Sequence, residues 1–178
     1  MSYDLEFKLV LIGDKGVGKK TLRERYDFKI PKGEPGYSSK VDVYAKDIEL
    51  NNVGICRMYI WELEIDRRAR SQLPNFLEEA KGLMFMFDLT KASTLTLFDE
   101  WVKILRETNP DIPILLVGNK VDISERRKTD QSEAFEYVHD RFCKAYTEIS
   151  AKSGKKVEIA FHMMAQIMWD SQQKSPTP

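Results

Sequence analysis

Strands alternating with helices predict an α/β fold for this chain: a mostly parallel six-stranded sheet with helices on both faces. Three observations carry that expectation. Residues 5–12 alternate Leu5, Phe7, Leu9 and Leu11, with Val10 and Ile12 also apolar, and run into a glycine-rich loop that opens a helix. Gly82-Leu83-Met84-Phe85-Met86-Phe87-Asp88 is a short continuous apolar run, the pattern of a strand covered on both faces. Residues 94–108 carry Leu97, Trp101, Ile104 and Leu105 on one side of an amphipathic helix.

The remaining elements follow in order. A first helix is expected from Lys19 to Asp27, then an irregular segment containing Pro31, Gly33, Pro35 and Gly36. Residues 41–50 and 53–61 alternate apolar and polar side chains around Asn51-Asn52, a hairpin signal. Residues 62–70 are dense in charge with weak periodicity, and a short helix through Leu77 and Ala80 follows. Residues 112–117 form another buried strand. A helix over 132–142, a strand over 145–149 and a last helix from Lys156 to about Gln172 complete the pattern. One domain over 1–172 with a flexible tail over 173–178 is the simplest organisation of 178 residues at 42% hydrophobic content.

The 28 basic and 28 acidic residues balance, which argues against nucleic acid or an anionic membrane as partner. Cys56 and Cys143 have neither CxxC spacing nor a metal pattern and read as thiols of a reducing, cytoplasmic compartment. There is no long uncharged apolar run. Ser2 stands where myristoylation needs a glycine, and the C-terminus carries no cysteine, so no direct lipid anchor is expected.

Gly13-Asp14-Lys15-Gly16-Val17-Gly18-Lys19-Lys20-Thr21 lies between the first strand and the first helix. In that context a glycine-rich loop cradles phosphate. Its N–H groups turn inward, the helix start adds positive potential, and Lys19 supplies a cation. One letter departs from the pattern: Lys20 stands where a Ser or Thr hydroxyl would coordinate Mg²⁺. Asn119-Lys120-Val121-Asp122 follows the buried strand at 112–117. A carboxylate such as Asp122 can accept the paired N1–H and amine hydrogen bonds of guanine, a pair adenine does not offer. The Lys120 stem can lie over the base, and Asn119 can tie this loop to the phosphate loop. Ser150-Ala151-Lys152 follows the strand at 145–149 and can donate a backbone N–H to guanine O6.

With these motifs in order, the chain resembles a Ras-superfamily small GTPase of the Rab-like branch over about residues 5–172. Asp88-Leu89-Thr90 with Leu95 and Trp101 is similar to a Rab stretch, and Val157-Glu158, Ala160-Phe161 and Met164-Ala165 are similar to the family's last helix. The resemblance implies the P-loop small GTPase fold, GTP or GDP as ligand, and Mg²⁺ as a cofactor whose site is altered here. It also implies effector or regulator contacts through residues 29–43 and 62–80.

Set against the family pattern, several positions differ. Ser38, nineteen residues after the loop lysine, keeps the switch I hydroxyl and is a tentative metal ligand, while Pro31 occupies the place of a base-packing aromatic. Phe28 or Tyr37 could fill that role. The family's DTAGQ becomes Glu62-Leu63-Glu64-Ile65-Asp66. Ile65 cannot enter the conformations open to glycine. Asp66, a candidate catalytic base, would lie near phosphate of its own sign, a repulsion of about 4 kcal/mol at 4 Å and an effective dielectric of 20. Lys15, the other candidate catalytic residue, is compatible with three roles: a cation for transition-state charge, an obstacle to a partner's arginine, or a solvated side chain. Lys20 reads either as an outward surface lysine or as an ammonium in the metal's space, bridging Glu62. Guanine-nucleotide binding with slow hydrolysis is the leading expectation. The alternatives are a conventional hydrolysing GTPase and a pseudo-GTPase scaffold.

Overall fold

The computed structural model describes residues 3–26, 28–29, 41–64, 69–140 and 143–174. Among these, six strands form one sheet: β1 (Leu5–Gly13), β2 (Val41–Leu50), β3 (Gly54–Glu64), β4 (Gly82–Asp88), β5 (Ile114–Asn119) and β6 (Ala145–Ile149). Their spatial order is β2-β3-β1-β4-β5-β6. Within the sheet the β2–β3 hairpin is antiparallel; β1 pairs in parallel with β3 and β4, and β5 with β4 and β6.

The α-helices described among these strands are α1 (Lys19–Arg25), α2 (Ala69–Leu77), α3 (Ser93–Thr108), α4 (Gln131–His139) and α5 (Val157–Lys174). Strand parity sorts the core into two layers. Phe7, Leu9 and Leu11 of β1 pack with Leu22 of α1 and Phe161, Met164 and Met168 of α5. Val10 and Ile12 face the other way, toward Leu73 and Leu77 of α2 and Phe98, Trp101 and Leu105 of α3. Every residue of β4 and β5 is buried, as expected of central strands covered on both sides. The helices thus cover both faces of a mostly parallel sheet, the arrangement that the βαβ rule favours.

The observed boundaries correct several expected ones. Strand β3 continues to Glu64, through residues expected to lie outside the sheet, because the end of β1 and the start of β2 hold it on both edges. Leu11 pairs with Glu62 and Gly13 with Glu64, while Val41 pairs with Leu63. Strand β5 starts at Ile114, after Pro113, and extends to Asn119. Helix α1 ends at Arg25, α4 at His139, and α5 runs to Lys174, past the expected end of the domain at residue 172. Among the described residues no helix is long and apolar enough to cross a membrane.

The register brings the carboxyl ends of the parallel strands together. Gly13 lies opposite Met86, Asp88 opposite Asn119, and Asn119 opposite Ile149. In open α/β sheets this edge is where ligands bind.

Candidate functional site

The loop after β1 has the backbone its glycines permit. Gly16 and Gly18 take φ of 81° and 111°, the left-handed region that side chains avoid. A Cβ at Gly18 would also overlap the Asn119 amide nitrogen, and one at Gly13 would overlap the Met86 carbonyl oxygen. Lys19 is buried, and its ammonium donates to the Gly13 and Asp14 carbonyls at 2.6 and 3.1 Å. The cation is therefore folded back over its own loop. Asp14 Oδ1 accepts from the Lys15 N–H at 2.7 Å, and the Lys15 side chain itself is exposed.

Asn119 joins three loops. Its Nδ2 donates to the Val17 carbonyl at 2.7 Å, and its Oδ1 accepts from the Ala151 N–H at 2.8 Å. The tie to the phosphate loop expected from sequence is present. The Ala151 N–H, however, is engaged by Asn119. Ser150 Oγ donates to Asp122 Oδ1 at 2.6 Å, which orients the exposed carboxylate from behind. Lys120 stands at φ 74°, and its ammonium lies 2.6 Å from Asp88 Oδ2. The other oxygen of Asp88 accepts from the Thr90 N–H and hydroxyl at 2.8 and 2.7 Å. Burial works against charge on Asp88, but Lys120 and Thr90 outweigh it and hold its carboxyl below the usual value. The Lys120 stem is thereby fixed beside the loop that carries Asp122. Lys152 is exposed, and its carbonyl accepts from Arg25 Nη1 at 2.6 Å.

These groups fit a guanine nucleotide. The left-handed glycines give the loop a turn that side chains avoid, Lys19 lies against the loop carbonyls, and the buttressed Asp122 carboxylate is exposed as an acceptor. The Phe28 ring packs on Tyr44 and Phe161 at centroid distances of 4.6 and 5.4 Å. Pro31, Tyr37, Ser38, Ile65 and Asp66 lie outside the described residues.

The metal-facing positions differ from expectation. Lys20 and Glu62 do not bridge. Lys20 is 74% exposed and lies 3.6 Å from Glu24, one turn along α1. Glu62 is buried and faces Arg23, whose Nη1 is 3.5 Å from Oε2. The same guanidinium is hydrogen-bonded to Asp42, directly opposite Glu62 across the β2–β3 ladder. Helix geometry gives the reason. Lys19 and Arg23 share one face at i, i+4, whereas Lys20 is turned about 100° away and pairs with Glu24 on its own face. Thr21 is half-buried on the same short helix. Burial pushes the Glu62 carboxyl up, and the Arg23 and Lys19 charges only partly oppose it. Mg²⁺ demands an octahedron of oxygen ligands. The described residues at this point offer one carboxylate already facing a guanidinium and a lysine in place of a hydroxyl. Among the described residues no group of three His, Cys, Asp or Glu stands ready for a metal.

Comparison with known proteins agrees with this architecture. The family model described as "Ras family" matches residues 8–170. Ras-related protein Rab-30 of Homo sapiens is 33% identical over 163 residues, covering 89% of this chain and 78% of that protein. Its counterpart in Mus musculus matches to the same extent. Ras-related protein Rab-26 of Bos taurus is 28% identical over 177 residues, covering 98% of this chain and 68% of that protein. The chain belongs to the Ras family and is a Rab-like small GTPase of the Ras superfamily, a guanine-nucleotide-binding protein.

Proposed function

We propose that this protein is a guanine-nucleotide switch that binds GTP and GDP and hydrolyses GTP slowly. The observation that carries the binding site is the Asn119 amide, which holds the phosphate loop and the 150–152 loop to the Asn119-Lys120-Val121-Asp122 segment. In this reading the N–H groups of residues 13–18 and the Lys19 ammonium receive the phosphates, with Lys15, Lys20 and Thr21 at the margin. Asp122 accepts from the base, Lys120 covers it, and Ser150, Ala151 and Lys152 close its edge.

Slow hydrolysis follows from departures at positions the family uses around the transferred phosphate. Catalysis of phosphoryl transfer is mostly positioning and charge stabilisation around the transferred group. In sequence Asp66 takes the place of the water-orienting glutamine and Ile65 that of a glycine, and Glu62 faces Arg23. Lys15, an exposed cation of the loop, offsets part of that loss. Partner proteins would read residues 29–43 and 62–80, as effectors and regulators of the family do, and the protein would act in the cytoplasm.

The test is to denature the purified protein, chromatograph the released nucleotide, and follow a single turnover of GTP. Released GTP with slow turnover is expected. Released GDP with fast turnover would favour a conventional hydrolysing GTPase, and no nucleotide would favour a scaffold. Asp122→Asn should weaken guanine binding at least about tenfold, since it replaces an ionic acceptor of two hydrogen bonds. Unchanged affinity would sink the base-site assignment.

A further inference from the structure

Glu62 and Asp42 pose an electrostatic problem that the structure resolves locally. They are directly opposed on neighbouring antiparallel strands, where like charges destabilise. Glu62 Oε2 is buried with no hydrogen-bond partner among the described residues. Arg23 stands against both, hydrogen-bonded to Asp42 and 3.5 Å from Glu62. Its side chain is only 28% exposed. A guanidinium stays charged at any accessible pH and forks between two carboxylates, as an ammonium on a flexible stem does not.

Among the described residues, three further charged or titratable groups act on Glu62. The Lys19 ammonium acts on it from the phosphate loop, Tyr44 lies beside it on β2, and Asp42 faces it. Asp42, Tyr44 and Lys46 share one face of β2, with Asp42 exposed and Tyr44 and Lys46 buried. Lys46 is committed farther along, 2.9 Å from Glu158 of α5. Arg23 is therefore the cation that serves this end of the face, beside the loop lysine with which it shares a side of α1.

We propose that Arg23 is a resident counter-charge of the nucleotide site, offsetting the Glu62 carboxylate so that guanine nucleotide is retained without a divalent cation. The inference rests on the guanine-nucleotide reading above and specifies the cation on which the site depends. A bound polyphosphate brings negative charge next to position 62. With Arg23 in place it meets a carboxylate whose charge the guanidinium, shared with Asp42, and the loop lysine partly offset; without Arg23 the buried carboxylate repels the ligand more strongly. Because the guanidinium is covalently part of the chain, no chelator removes it. Arg23 acts through Glu62 and is a positioning residue rather than a catalytic one.

The experiment measures release of a fluorescent GDP analogue from the full chain, in excess Mg²⁺ and in excess EDTA. The rates should differ by less than about threefold, and a larger acceleration by EDTA overturns the inference while leaving guanine binding standing. No binding in either buffer overturns this inference together with the site on which it rests. Arg23→Gln should speed release at least about tenfold in both buffers, and Arg23→Gln with Glu62→Gln should return it to near the parent rate. If the double variant releases as fast as Arg23→Gln alone, charge compensation is not what Arg23 does. The double variant leaves neither position charged, so it keeps the test open should the single variant fold poorly.

Discussion

Glu62 is a residue pulled two ways. Its place in β3 buries it, which favours the protonated acid, while Arg23 and Lys19 favour the carboxylate; burial prevails and the folded-state value rises. A carboxyl that holds its proton more tightly when folded contributes stability at low pH. That contribution is lost as pH climbs from the unfolded value, about 4.3, through the raised folded one. Above this window the ionised side chain is a net cost to the nucleotide-free protein. Glu62→Gln should therefore raise the melting temperature of the nucleotide-free protein at neutral pH, and the gain should shrink as pH falls through the raised folded value and be gone by about 4. Thermal unfolding across pH checks this; a gain that grows toward acid would contradict the assigned sign.

At the scale of elements, α1 works as a ruler between the two halves of the site. Its start holds Lys19 at the phosphate loop, its middle sets Arg23 against Glu62, and its end reaches the 150–152 loop. There Arg25 Nη1 donates to the Lys152 carbonyl at 2.6 Å, and the hydroxyl of Tyr26, just past the helix, donates to the Ala151 carbonyl at 3.2 Å. Gly154, at φ 88°, lets the Tyr26 ring approach, since a Cβ there would lie 3.0 Å from the hydroxyl oxygen. A net hydrogen bond is worth about 1 kcal/mol, roughly fivefold in an equilibrium. Tyr26→Phe with Arg25→Ala should thus speed GDP release severalfold with little change in melting temperature, read by stopped-flow fluorescence beside a thermal scan. An unchanged release rate would mean that the base loop is held without the contacts from α1, by Asn119 and the Ser150–Asp122 hydrogen bond. The same helix shows where sequence was legible and where it was not. Gly13, Gly18, Lys19, Asn119 and Asp122 could be singled out because each stands in a short motif directly after a strand, although their contacts reach other loops. The partner of Glu62 was not, because spacing to a shared point says nothing about the direction a side chain leaves the helix. The i, i+4 relation of Lys19 to Arg23 was the available signal. Position 62 also fell in a charge-dense stretch of weak periodicity, since its strand pairing comes from β1 and β2, far off in sequence.

On the scale of the whole molecule, the fold separates stability from binding. The alternation of strands and helices was legible because covered strands and amphipathic helices carry their burial in local pattern, as in residues 82–88 and 93–108. Two core layers then lie beneath the carboxyl edge that carries the site. In the layer remote from the phosphate loop, Phe98 of α3 is fully buried, edge-on to Phe85 at 4.8 Å and to Tyr137 at 5.3 Å. Truncating it opens a cavity that a close-packed core only partly refills, so Phe98→Ala should cost about 3–5 kcal/mol of stability. Neither Phe98 nor the rings it packs on belong to the nucleotide site. Below its lowered melting temperature the variant should therefore bind GDP with the parent affinity. Ligand linkage gives both proteins the same stabilisation at equal ligand excess, about 2.7 kcal/mol at a hundred times Kd. Paired thermal scans with and without GDP measure this. An increment lost with Phe98 would mean that α3 packing transmits to the site, whereas an equal increment on a lower baseline would mean that the edge binds nucleotide independently of that core layer.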